Sequence, residues 1–75
     1  MTDTTLDLKG LKCPLPVLKT RKAMTRLSDG DQLTVLTTDP MAEIDIPHFC
    51  QENGHKLIAS ERTDTGHRFL LSKGS

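Results

Sequence analysis

The chain carries a seven-residue segment, Gly10 to Pro16, that reads Gly-Leu-Lys-Cys-Pro-Leu-Pro. It follows Thr4 to Leu8, where apolar and polar residues alternate as in a half-buried strand. Pro14 suits the first position of a helix, where its missing N–H costs nothing, and Pro16 still lies within the first turn. The segment therefore predicts a strand, a turn at the glycine and a helix that begins directly after Cys13.

The rest of the sequence predicts one more helix and three more strands. Pro47 would break a helix that ran straight through from Met41, so we expect a short turn at Pro40–Glu43 before the main helix. Asp45 would then lie near the helix cap, and Gly54 would end the helix. The predicted elements after the first strand are a helix over 14–27, a strand over 32–38, a helix over about 45–53, and strands over 56–62 and 67–73 joined by a hairpin loop at 63–66.

This order of elements, βαβαββ, predicts an α+β fold. We expect a two-layer sandwich in which two helices cover one face of a four-stranded mixed sheet. Seventy-five residues suffice for one small domain, residues 1–75. At this length only roughly 60% of the unfolded surface can be buried, which leaves little room for a deep, enclosed catalytic pocket.

Composition argues against several classes of function. Phe49 and Phe69 are the only aromatic residues and the net charge is zero, so we expect no direct nucleic-acid binding. No apolar run approaches the ~20 residues that span a bilayer, and the N-terminus lacks a signal-peptide pattern. We therefore expect a cytoplasmic protein without a membrane partner, in which both cysteines are free thiols.

Although the net charge is zero, the charged residues are unevenly distributed along the chain. Residues 8–28 contain six basic residues and no acid, whereas residues 29–55 contain six acids and no Lys or Arg. Lys19, Lys22 and Arg26 share the outer face of the first predicted helix. This face is either a surface that docks an acidic partner or simply the solvated side of an amphipathic helix.

Cys13 is the candidate reactive residue. At the start of a helix its sulfur would face free backbone N–H groups and the positive end of the helix dipole, and Lys9 and Lys12 lie close in sequence. Such surroundings lower the pKa of a cysteine and favour the reactive thiolate. The alternative is an inert, small apolar residue at a helix start.

Cys50 has a different setting, on the apolar side of the second predicted helix beside Phe49. Core packing is the favoured interpretation, and a redox pair with Cys13 is the alternative. Metal binding by His48, Cys50 and His55 is disfavoured, because His48 and Cys50 point in nearly opposite directions on a helix. We expect no metal site.

Three segments of the chain resemble the TusA/SirA-like family of small sulfur carriers. The first is the stretch from Leu6 to Val17, with a strand, a glycine and then Cys-Pro-x-Pro opening a helix. The second is Arg21-Lys22. The third is Asp39-Pro40 followed by the stretch from Asp45 to Cys50, which resembles the branch that acts in tRNA thiolation. The likeness runs from about residue 6 to residue 73.

The resemblance implies a βαβαββ fold and a persulfide carried on Cys13, with Gly10, Pro14 and Pro16 supporting the motif. It implies a cysteine desulfurase as sulfur donor, whose pyridoxal phosphate belongs to the donor, so the carrier has no cofactor of its own. The implied acceptor is a further relay protein, leading to 2-thiouridine in tRNA; relatives serve sulfur oxidation and molybdenum-cofactor synthesis. Leu15 departs from some relatives, which carry an acid there. The candidate partner-binding residues are Lys12, Lys19, Arg21, Lys22, Arg26 and Asp39.

The sequence thus favours a persulfide relay rather than a stand-alone enzyme. Two alternatives remain open. One is a regulatory interaction module without sulfur chemistry, and the other is a thiol redox enzyme that uses Cys13 with Cys50.

Overall fold

Six elements follow one another in the order that the sequence predicts. The computed structural model describes residues 3–74. The elements are β1 (Asp3–Leu8), α1 (Leu15–Met24), β2 (Gln32–Thr37), α2 (Ala42–Asn53), β3 (Lys56–Arg62) and β4 (His67–Ser72). None of the helices in this part of the chain is long and apolar enough to cross a membrane.

The four strands form one mixed sheet in the order β1-β2-β4-β3. Strands β1 and β2 are parallel, which requires a crossover, and α1 provides it. The other two pairings, β2 with β4 and β4 with β3, are antiparallel. The predicted two-layer α+β sandwich with a four-stranded mixed sheet is confirmed.

The core lies between the helices and one face of the sheet. Along β2 every second residue is buried, and Val35 lies opposite Phe69 of β4, which is fully buried. From the helices, Met24 and Ile46 pack into the same cluster. The alternation that predicted a half-buried first strand therefore fits a sheet with helices on one face only.

Helix α1 is shorter than the predicted helix over 14–27. Pro14 occupies the N-cap position and not the first helical position, and Pro16 is the second residue of the helix. After Met24 the α-helix gives way to a tighter turn, in which the N–H groups of Arg26 and Leu27 donate to carbonyls three residues earlier in the chain. Thr20 is buried and donates its hydroxyl to the carbonyl of Pro16 at 2.7 Å.

Helix α2 is longer than predicted, and the expected separate turn at 40–43 is wrong. The helix runs through Pro47, whose missing N–H leaves the Glu43 carbonyl without its usual helical donor. The helix continues because its start is anchored: the Asp39 carboxylate accepts the Met41 N–H at 3.0 Å, and the Asp39 carbonyl accepts the Ala42 N–H at 3.0 Å. Asp45 is therefore the fourth residue of the helix and not a cap.

The predicted end of α2 at Gly54 is confirmed. Gly54 has φ +73°, a left-handed conformation that glycine adopts without steric cost. Its N–H donates to the carbonyl of Cys50, which closes the last turn.

Candidate functional site

Cys13 lies on the turn between β1 and α1, and its side chain is exposed. The peptide bond between Cys13 and Pro14 is cis. Two contacts join this turn to the connection between β2 and α2. The Gly10 N–H donates to Oγ1 of Thr38 at 2.9 Å, and the Cys13 N–H donates to the carboxylate of Asp39.

Asp39 therefore holds two segments together. One oxygen of its carboxylate accepts the Cys13 N–H, and the other accepts the Met41 N–H at the start of α2. A carboxylate that accepts backbone N–H groups makes a charge-assisted, and hence strong, hydrogen bond. The sequence predicts Asp39 as a partner-binding residue, and the structure gives it a contact with the backbone of the candidate reactive cysteine.

A second carboxylate contacts the sulfur itself. The Cys13 thiol donates to Oδ2 of Asp45, with 3.0 Å between Sγ and the oxygen. Asp45 makes this contact from the fourth position of α2, which begins at Ala42. Sequence reasoning missed the contact, although Asp45 belongs to the third segment that resembles the family.

The two carboxylates reverse the predicted electrostatics of the thiol. The hydrogen bond to Asp45 raises the pKa of Cys13 above its usual value, and partial desolvation and the negative charges of Asp45 and Asp39 act in the same direction. The expectation of a lowered pKa is therefore wrong for the free protein. The Nζ of Lys9, which the sequence placed near the thiol, lies 3.9 Å from Oδ2 of Asp7.

Cys13 stands at one side of an open cleft between α1 and α2, with a volume of about 470 Å³. The guanidinium carbon of Arg21 lies 5.8 Å from the centroid of the Phe49 ring, within cation–π range. His48 Nε2 lies 3.0 Å from Oε1 of Glu52. The cleft is lined by Cys13, Pro14, Val17, Arg21, Asp45, His48, Phe49, Glu52 and Asn53.

The basic residues predicted to bind partners do not form one surface. Arg21 shares the cleft with Cys13, whereas Lys19, Lys22 and Arg26 line a separate shallow groove with Leu6 and Ala23. Lys12 is exposed on the turn immediately before Cys13. Of the basic residues of α1, Arg21 is thus the one that the fold brings into the cleft of the thiol.

Cys50 is 2% exposed and belongs to the hydrophobic core, as predicted. Burial raises the pKa of its thiol to about 11. The histidines of the disfavoured metal hypothesis have other contacts: His48 pairs with Glu52, and Nδ1 of His55 accepts the Gly74 N–H at 3.1 Å. Within residues 3–74, no group of three or more His, Cys, Asp or Glu side chains is placed to hold a metal ion.

The different exposure of the two cysteines predicts their reaction with a thiol reagent. With excess Ellman's reagent at pH 8, we expect one equivalent of thiol in the native protein and two in denaturant. The native equivalent should disappear in Cys13→Ser and persist in Cys50→Ala. Two equivalents under native conditions would show that Cys50 is accessible, contrary to its position in the core.

Comparison with known proteins identifies the family. The model of the sulfurtransferase TusA family matches residues 4–73. The chain belongs to this family. A crystal structure of a SirA-like protein from Desulfitobacterium hafniense superimposes with a TM-score of 0.80 at 24% identity, covering 96% of this chain and 99% of that one. At this identity the superposition supports the fold, and it agrees with the family match.

The predicted resemblance to the TusA/SirA-like group is therefore confirmed. Of the two cysteines in this chain, Cys13 is the exposed one. Its assignment as the residue that carries sulfur is part of the proposal below.

Proposed function

We propose that this TusA-family protein is a sulfur carrier in which Cys13 accepts persulfide sulfur from a cysteine desulfurase and passes it to an acceptor protein. The observation that supports this most directly is an exposed free thiol, fixed on a hydrogen-bonded turn beside an open cleft. A relay must present its sulfur to two partners in turn, and a thiol on a rigid, exposed turn meets that requirement.

The transfer consists of two exchange steps with no net oxidation. The Cys13 thiolate attacks the outer sulfur of the donor's persulfide, a new S–S bond forms at Sγ, and the donor's cysteine leaves as a thiolate. An acceptor thiolate then attacks the outer sulfur on Cys13, and the Cys13 thiolate is the leaving group. Each step forms one S–S bond and breaks one, so no cofactor on the carrier is required.

The open cleft supports a relay rather than a stand-alone enzyme. Catalytic sites owe much of their effect to excluding water around the reacting groups, and the sulfur of Cys13 lies exposed on a turn. In the proposed complexes, the donor and the acceptor each supply the surface that covers the thiol. Pyridoxal phosphate remains with the donor.

We propose tRNA as the final destination of the sulfur, through an acceptor relay protein that leads to 2-thiouridine. The support is the likeness of Asp39-Pro40 and of the Asp45–Cys50 stretch to the thiolation branch. Sulfur oxidation and molybdenum-cofactor synthesis are the alternatives within the family, and Leu15, where some relatives carry an acid, bears on partner choice. The proposed location is the cytoplasm, where a free thiol persists.

The proposed partner surface surrounds the thiol. Arg21 lies in the cleft, Lys12 lies next to Cys13, and Asp39 contacts its backbone. Lys19, Lys22 and Arg26 line a separate groove and would form a second contact area for a partner that covers both. A non-catalytic interaction module would use the same surface but would carry no sulfur.

The experiment that tests the proposal is sulfur loading in vitro. After incubation with a cysteine desulfurase, pyridoxal phosphate and cysteine, intact-mass spectrometry should show the addition of one sulfur atom, and dithiothreitol should remove it. A protein that gains no mass while the desulfurase releases sulfide would favour the interaction module. For the tRNA step, deletion of the gene should lower the amount of 2-thiouridine in total tRNA. Unchanged amounts would favour sulfur oxidation or molybdenum-cofactor synthesis as the destination of the sulfur.

A further inference from the structure

The contact between Cys13 and Asp45 requires an explanation that the carrier function alone does not supply. A sulfur acceptor must attack as a thiolate, yet the Cys13 thiol donates a hydrogen bond to the Asp45 carboxylate, with 3.0 Å between Sγ and Oδ2. Asp39 adds a second negative charge beside the same residue through its bond to the Cys13 N–H. Both carboxylates therefore favour the protonated form of the exposed thiol over the thiolate.

The basic side chains around the thiol either have other contacts or are exposed. On α1, Arg21 lies over the Phe49 ring, and on α2, His48 is paired with Glu52. On the turn, Lys12 is exposed. Across residues 3–74, neither Asp39 nor Asp45 forms an ion pair with a Lys, Arg or His side chain.

We propose that Asp45 holds Cys13 as a thiol in the free carrier, and that the sulfur donor releases the thiolate by placing a basic side chain against Asp45. This inference rests on the proposed function, because it specifies the kind of surface that the donor must present to Cys13. Asp45 is half-buried at the edge of the open cleft, so a partner's Lys or Arg can reach it.

The step balances without a further reactant. When a cation pairs with the Asp45 carboxylate, that oxygen no longer favours the thiol, and Cys13 loses its proton to water. The thiolate then attacks the outer sulfur of the donor's persulfide, and the departing donor thiolate takes a proton from water. Until a partner docks, the protonated sulfur reacts slowly with small oxidants and electrophiles, although it is exposed.

The test compares Asp45→Asn with wild type in two reactions of the same thiol. The matched control is Glu43→Gln, which removes one charge from the first turn of α2, where Glu43 contacts His67 and not Cys13. The first reaction is alkylation by iodoacetamide, measured from pH 6 to pH 10. The second is single-turnover sulfur transfer from a desulfurase already charged with persulfide, at pH 7.5. Circular dichroism and urea unfolding establish that each variant is folded.

We expect Asp45→Asn to be alkylated at least about threefold faster at pH 7.5, with its pH profile displaced to lower pH, because the thiolate is the reactive form. Glu43→Gln should follow the wild-type profile. Sulfur transfer from the charged desulfurase should be unchanged or slower in Asp45→Asn, because in the wild-type complex the donor's cation has already neutralised this carboxylate.

Two results would overturn the inference. An unchanged alkylation profile would show that Asp45 does not hold the thiol proton. Sulfur transfer accelerated in parallel with alkylation would show that the donor supplies no cation to Asp45. Alkylation needs no partner, so it reports on Asp45 even if the protein fails to load sulfur, and such a failure would count against the proposed function alone.

Discussion

The variant Cys13→Ser is expected to take up no sulfur from a charged cysteine desulfurase. A serine hydroxyl does not form a persulfide, and the remaining thiol, Cys50, is 2% exposed. Burial also raises the pKa of Cys50 to about 11, so its thiol is almost entirely protonated at pH 7.5. Intact-mass spectrometry after desulfurase treatment should therefore show complete loss of the added sulfur. A serine variant that gained the mass would show that Cys13 is not the acceptor.

The matched variant is Cys50→Ala, which should load sulfur as well as wild type. Removal of the buried sulfur should cost about 1–2 kcal/mol of unfolding free energy, as for a small core deletion. Urea denaturation gives the cost, and loading is measured where the variant is folded. If folded Cys50→Ala fails to load, the two-cysteine redox enzyme becomes the better hypothesis. Mild oxidation should then link the two cysteines in the wild type.

The fold could be predicted from the sequence because local patterns determine most of it. Alternation predicted the first strand, turn and loop residues separated the later strands, and the glycine after α2 ended that helix where expected. The first residues of the helices were harder to predict, because each helix start depends on contacts with distant parts of the chain. For α2, Pro47 predicted a later start. The hydrogen bonds of Asp39 and the burial of Ile46 and Phe49 instead favour a helix that begins at Ala42 and continues through the proline.

The candidate site was only partly predictable for the same reason. Cys13 is identified by its motif, which is contiguous in sequence. Its contact with Asp45 joins residues 32 positions apart and exists only when α2 packs beside the start of α1. Sequence proximity to a helix start predicts a lowered pKa for Cys13, but the Asp45 carboxylate, which raises it, is distant in sequence. Likewise, the helical period grouped Lys19, Lys22 and Arg26 but could not show that Arg21 alone would face the thiol's cleft.

The elements that carry the site pack on a small core, so loss of one large core side chain should strongly destabilise the protein. Phe69 is fully buried at the centre of β4 and lies opposite Val35 on one side and Ser60 on the other. Replacement of a buried phenylalanine by alanine typically costs about 3–5 kcal/mol. A domain of this length is stabilised by about 4–11 kcal/mol in total, at roughly 0.05–0.15 kcal/mol per residue. We therefore expect Phe69→Ala to lose a large part of its stability and to unfold at a much lower urea concentration.

The neighbouring residue provides the control. Leu70 follows Phe69 on the same strand but points to the opposite face of the sheet, where it is only half-buried. Leu70→Ala removes a comparable apolar group without opening the core, so its cost should be below about 2 kcal/mol. Urea titration followed by far-ultraviolet circular dichroism measures both. Equal destabilisation by the two variants would mean that the outer face of the sheet is as closely packed as the inner one, which would imply that something covers it in solution.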